Sequence, residues 1–207
     1  MPRPIRALFV AVALVALTAC PSIRLAEPAG QADAAPIRVA GTYVHPASGL
    51  EFPEQVGTFR RADILALDRD GPTLVVGYNH EEAGASVAAT VYAWKAPTSG
   101  EDASLERQFE RERDGVRQFH EGAREDGSRA VSFSVRGRPV PGFAAEFHYS
   151  DVFNYTLQAV DSFLYVFERD GWIIKYRISV AERQRAAAEP IAREFLRNAP
   201  WGSYAGA

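Results

Sequence analysis

The chain of 207 residues has one cysteine, Cys20. That scarcity excludes a disulfide framework and any cysteine-rich zinc site. Lysine is almost as rare, with Lys95 and Lys175 standing against 21 arginines. This bias, together with abundant alanine, reads as the codon usage of a GC-rich genome. Acids interleave with the arginines throughout, so no basic stripe forms. With 23 basic and 26 acidic residues the formal charge is −3, and the chain lacks the net positive field that nucleic-acid binders rely on. No nucleic-acid partner is expected. Nor is the N-terminal apolar run, Ala7 to Leu17, long enough to be a membrane span, since crossing the hydrocarbon takes about twenty helical residues. A hydrophobic content of 47% against 24% charged residues excludes a wholly disordered chain.

That apolar run follows Arg3 and Arg6, which gives residues 1–19 the charge and length pattern of a secretory signal. It ends in Leu17-Thr18-Ala19-Cys20, which resembles the lipobox of bacterial lipoproteins at each of four positions. The resemblance implies cleavage after Ala19, a diacylglyceryl thioether on Cys20 and acylation of the new amino terminus. One acyl chain binds a bilayer marginally, at about 0.8 kcal/mol per buried methylene, whereas two or three hold firmly. The lipid bilayer, reached through the acyl anchor, is therefore the first expected partner. Cleavage leaves 21 basic against 26 acidic residues, so the mature surface has no general attraction for anionic headgroups. Pro21 follows the cysteine in place of the aspartate that marks inner-membrane retention in many enteric bacteria. The family rule then implies the bacterial outer membrane, with the protein facing the periplasm.

Residues 20–38 comprise the lipidated cysteine and a tether rich in Ala and Pro, without an aromatic residue. Such a segment buries too little apolar area to offset its ordering entropy. As a flexible coil it would span roughly 20–25 Å. Residues 39–202 read as one domain, long enough for a single hydrophobic core. Strand patterns cover residues 73–79, 86–95, 129–136 and 142–149. A hairpin of 161–168 and 172–179 turns through Asp170-Gly171. Its second arm alternates, predicting Trp172, Ile174, Tyr176 and Ile178 inward and Lys175, Arg177 and Ser179 outward. Amphipathic helices are predicted over 103–122, with the stripe Leu105, Phe109, Val116 and Phe119, and over 182–198, with Ala187, Ala188, Ile191, Phe195 and Leu196 inward. Pro190 either kinks the second helix or opens its last segment. The fold class is α+β, an antiparallel β-sheet with two amphipathic helices packed on it.

The closing hairpin and helix, carried by Phe163–Phe167, Trp172–Arg177 and Glu194-Phe195-Leu196, resemble the PsbP/Mog1-type domain in architecture. The resemblance implies a binding or assembly factor.

Catalytic motifs are missing from the string. His45, His80, His120 and His148 are isolated, and none has the i,i+4 partner of zinc peptidases. His80, with Glu81 and Glu82, reads as a solvated hairpin end, and His120 as a cation favoured at the end of a helix. Ser48-Gly49 and Ser99-Gly100 lack a nucleophile elbow. Asp68/Asp70, Glu81/Glu82 and Glu125/Asp126 read as hydrated turn carboxylates. No cofactor or metal is expected. One constellation remains. If the strand of Glu146 and His148 lies near that of Lys175 and Arg177, a carboxylate, an imidazole and two cations meet on one sheet face. Tyr92 and Trp94 would then form an aromatic wall, unless they pack under a helix. The bland alternative is a water-facing surface balanced by cross-strand ion pairs. The expected function is a non-catalytic binding or assembly-accessory module with an envelope protein partner. The other reading is a small-ligand-binding protein or hydrolase using the polar face.

Overall fold

The computed structural model describes residues 35–67, 73–82, 84–135 and 137–201. The leader, Cys20, most of the tether and the Asp68/Asp70 pair lie outside the described residues. Four short strands come first: β1 (Ala35–Pro36), β2 (Tyr43–Val44), β3 (Glu51–Phe52) and β4 (Gln55–Val56). Three longer ones follow, β5 (Phe59–Ala66), β6 (Leu74–Glu82) and β7 (Ala85–Lys95), and then helix α1 (Leu105–Phe119). The chain continues through β8 (Arg124–Val135), β9 (Arg138–Phe153), β10 (Thr156–Arg169) and β11 (Trp172–Ala181) to helix α2 (Arg185–Asn198).

All pairings are antiparallel, as the short connections require. The sheet order is β1-β5-β6-β7-β11-β10-β9-β8, with β4 also paired to β5 and β2 paired to β3 apart from it. Two meanders, β5–β7 and β8–β11, are thus joined through β7 and β11, and α1 crosses between them. The predicted hairpin forms, with Asp170 at φ 52° and Gly171 at φ 72° between Arg169 and its partner Trp172. Positive φ at both central residues is what a two-residue turn of this hand demands. β7 is apolar on both faces and lies between β6 and β11. Pro190 sits within α2, on its exposed side, and does not end it.

The helices cover opposite faces of the sheet. Phe109 and Val116 of α1 pack with Phe147, Leu164 and Ile173, whereas Ala188, Phe195 and Leu196 of α2 pack with Tyr78, Ile174 and Tyr176. This corrects the one-sided reading of β11. Both of its faces are covered, and Lys175, Arg177 and Ser179 point beneath α1 rather than into solvent. In α2, Ala188, Phe195 and Leu196 are buried as predicted, but Ala192 joins them while Ala187 is exposed, and Phe119 of α1 is 54% exposed.

A helix about 10 Å across cannot cover eight strands set about 4.8 Å apart. On the α2 face, Leu50, Phe52 and Val56 cover the β5–β6 side and join the same core. Nothing among the described residues covers the opposite flank in the same way, and a groove lies there between α2 and strands β8–β10.

Candidate functional site

Register decides where the predicted residues fall. Glu146 pairs with Phe163 and Phe163 with Ile178, while Arg177 pairs with Leu164. Glu146 and His148 therefore share a face with Ile178, and Lys175 and Arg177 project from the other. The four-residue constellation does not exist. Its members form two clusters separated by the sheet.

Beneath α1, Arg177 is buried and hydrogen-bonded. Its Nε donates to Ser162 Oγ (3.0 Å) and its Nη2 donates to the Tyr149 hydroxyl (2.9 Å). Ser162 Oγ is 3.1 Å from Ser179 Oγ, and both serines are inaccessible, which rules them out as nucleophiles for an outside substrate. His120 stacks on Tyr149 at 3.9 Å, with its Nδ1 3.3 Å from Asp151. Lys175 donates to Glu112 (2.9 Å) with its ammonium 3.5 Å from the Tyr92 ring centroid. Trp94 donates to Gln108 Oε1 (3.2 Å). Tyr92 and Trp94 thus pack under a helix. The cluster ties α1 to the sheet around a buried cation that is hydrogen-bonded to Ser162 and Tyr149, which offsets part of the cost of burying it.

Burial, and then the facing Arg177 guanidinium, hold the His120 imidazole below the ordinary histidine range, while Asp151 pulls the other way. Below about pH 6.5 the unfolded chain then binds more protons here than the folded one. The contribution to stability is complete above that pH and declines as pH falls toward the folded-state value. Urea midpoints are expected to drop between about pH 7 and pH 5. His120→Phe, which keeps the stack on Tyr149, should flatten that drop. Equal slopes for the two proteins would remove this residue from the account.

On the α2 face, His148 Nδ1 lies 2.6 Å from Asp161 Oδ1, and Asp161 is 1% exposed. Arg185 bonds Glu146 and also reaches Asp161 Oδ2 (3.3 Å). A register shift between Glu125 and Ser128, with Gly127 at φ 109°, brings Asp126 beside His148. Such a bulge re-aims side chains at a sheet edge. One ligand atom each from Asp126, Glu146 and His148 lies within 4.8 Å of the others, a spacing that would suit a metal ion. The set fits a metal poorly, because Arg185 already supplies the positive charge to the same Glu146 oxygen. Glu125, predicted as hydrated, instead pairs with Arg113 (3.6 Å) and Arg117 of α1. His80 is also corrected. It is 2% exposed against Phe59, neither ring nitrogen has a hydrogen-bond partner, and Glu81 and Glu82 point into solvent.

The cluster opens into the groove, a cavity of about 490 Å³. Its floor is apolar, with Val131 and Phe133 from β8 and Phe163 and Tyr165 from β10. Leu196 and Ala192 of α2 form one wall. Guanidinium groups crowd the rim: Arg129 from β8, and Arg185, Arg193 and Arg197 along one side of α2. Arg185 sits 5.5 Å from the Phe163 ring centroid and Arg193 bonds Glu189 (2.5 Å). Burial raises the Tyr165 hydroxyl above its ordinary range, so it meets the groove as a neutral donor. The volume and the apolar floor are those of a small-molecule site, whereas the rim is far more heavily charged than such sites usually are. Of the residues lining the groove, the sequence offered only Glu146 as a site residue. The arginines of α2 were legible as one helix side, but not as the wall of anything.

What the fold and groove define is an α+β domain, a large antiparallel sheet with a helix on each face. No protein-family model matches the chain, and no curated protein matches it. Among solved structures it is similar to PA94 of Pseudomonas aeruginosa, a protein of unknown function, at 9% identity and a TM-score of 0.49 over 69% of this chain and 96% of that one. It is also similar to the cyanobacterial PsbP (CyanoP) of Synechocystis sp. PCC 6803, at 14% identity and a TM-score of 0.46, covering 78% and 93%.

Proposed function

We propose that this chain is a non-catalytic binding module, held at the bacterial envelope by acyl chains on Cys20 and facing the periplasm, with the α2 groove as its binding surface. The observation that carries the reading is the groove itself. It offers recognition chemistry, an apolar floor and a cationic rim, while the acid–base groups beside it are bound to one another. The anchor rests on the lipobox-like Leu17-Thr18-Ala19-Cys20. A lipid handle localises a binding domain without asking the domain to carry an apolar membrane face.

Two measurements on the full chain, expressed in a bacterial envelope, test it. Mass spectrometry is expected to find residues 1–19 removed and Cys20 acylated; a chain beginning at Met1 with a free thiol would overturn the location. A photocrosslinking side chain at Val131 in the groove is expected to capture a bound molecule. The same group at Arg107, exposed on α1, should capture none. Capture at Arg107 alone, or turnover of a substrate that Glu146→Gln abolishes, would overturn the binding role.

A further inference from the structure

Charge in the groove is not balanced. Four arginines stand against Glu146, Glu189 and the adjoining Asp161, a formal +1 on a chain whose net charge is −3. Arg185 is held by Glu146 and Asp161, and Arg193 by Glu189. Among the described residues Arg129 and Arg197 have no acidic partner within ion-pair distance, and both are exposed. They come from opposite sides of the groove, one from edge strand β8 and one from the last turn of α2. Between them lies the floor of Val131, Phe133, Phe163 and Tyr165, each only partly buried. An occupant that offers both apolar surface to the rings and negative charge to the two guanidinium groups therefore complements the groove best.

Resting on the binding-module reading above, we propose that the groove takes a single-chain anionic amphiphile with a phosphate-monoester head. The chain would lie on Phe133, Phe163 and Tyr165, with the head between Arg129 and Arg197. A phosphate monoester carries close to two negative charges at neutral pH and three acceptor oxygens, and planar guanidinium donors bind it in pairs. A neutral amphiphile would leave the two cations unanswered. An acidic peptide would add charge without matching the aromatic floor. The paired Glu146 and Glu189 turn away cationic amphiphiles only weakly, so selection rests on Arg129 and Arg197.

The probe is dodecyl phosphate, titrated below its micelle concentration into the full chain while the methyl resonances of Ala144, Ala192 and Leu196 are followed by NMR. Saturable shifts are expected, with an affinity that falls as salt is added. The double variant Arg129→Glu/Arg197→Glu changes two exposed positions, so the fold should persist while affinity falls at least about tenfold. Dodecanoate, with half the charge, should bind more weakly than dodecyl phosphate, and dodecyl glucoside more weakly than either. Equal affinity for the glucoside and the phosphate would overturn the proposal, as would a double variant that binds as the parent does. Tighter binding of dodecanoate would replace the phosphate head by a carboxylate and overturn it in that form. Absence of shifts with all three probes would overturn the ligand class; the Val131 crosslink then judges the binding role separately.

Discussion

Gly142→Ala is expected to destabilise the domain by about 3 kcal/mol, the upper end for adding a methyl to a packed interior. A Cβ built at Gly142 would lie 2.2 Å from Phe167 Cδ1 and 2.6 Å from the backbone oxygen of Val166. A free ring would turn aside, but the carbonyl belongs to the β9–β10 ladder, where Phe167 pairs with Gly142 itself. Glycine in a strand interior otherwise weakens the strand, so its use here marks a close approach. Phe167 is fully buried and meets Phe133 at 5.5 Å and Trp201 at 4.8 Å. A shift of this ring passes directly to the groove floor. Urea denaturation followed by circular dichroism checks the result. Gly142→Ala/Phe167→Leu should recover part of the loss, because the two changes share one space. A midpoint for Gly142→Ala indistinguishable from that of the parent chain would show that the ladder yields, contrary to this account.

The same pair of strands shows where the sequence stops being readable. Periodicity over Gly142–Tyr149 correctly separates Phe143, Ala145 and Phe147 from Ala144, Glu146 and His148. Which set faces the same way as Lys175 depends on the turn between β9 and β10. That turn is Asn154-Tyr155, both at positive φ, joining Phe153 to its partner Thr156. Tyrosine is not a residue expected at positive φ, so no turn signal stands in the string. A slip of one residue would put every side chain on the other face. Asp170-Gly171 is the opposite case, a turn whose residues state its geometry, and there the predicted hairpin matches. Strand β5 is not legible in the sequence for a related reason. Phe59-Arg60-Arg61-Ala62-Asp63 has three charges in five residues, and its pairing with β6 is irregular between Arg61 and Ile64. Alternation is blurred wherever a register shifts. The groove was illegible for a different reason. It exists because one helix is narrower than the sheet it covers, a property of the assembly that no local pattern carries.

Trp201→Ala is expected to lose about 3–5 kcal/mol, the usual range for truncating a buried aromatic, seen as a melting point roughly 6–20 °C lower. Trp201 is 6% exposed and lies 4.8 Å from Phe167, 5.2 Å from Tyr176 and 6.0 Å from Phe133. Its indole Nε1 donates to Leu196 O (3.0 Å), one of the carbonyls that the end of α2 leaves without a helical partner. Its own carbonyl accepts from buried Arg169, and the Tyr176 hydroxyl donates to Pro200 O (3.0 Å). The residue therefore plugs the core and fastens the last turn of α2, the turn that carries Arg197. Trp201→Phe separates these two roles. It keeps a ring in the cavity but loses the donor, so its stability cost should be nearer 1 kcal/mol. If the last turn matters to the groove, Trp201→Phe should still weaken dodecyl phosphate binding while the fold remains largely intact. An unchanged affinity in Trp201→Phe would mean that Arg197 holds its place without the indole, and that Trp201 serves the core alone.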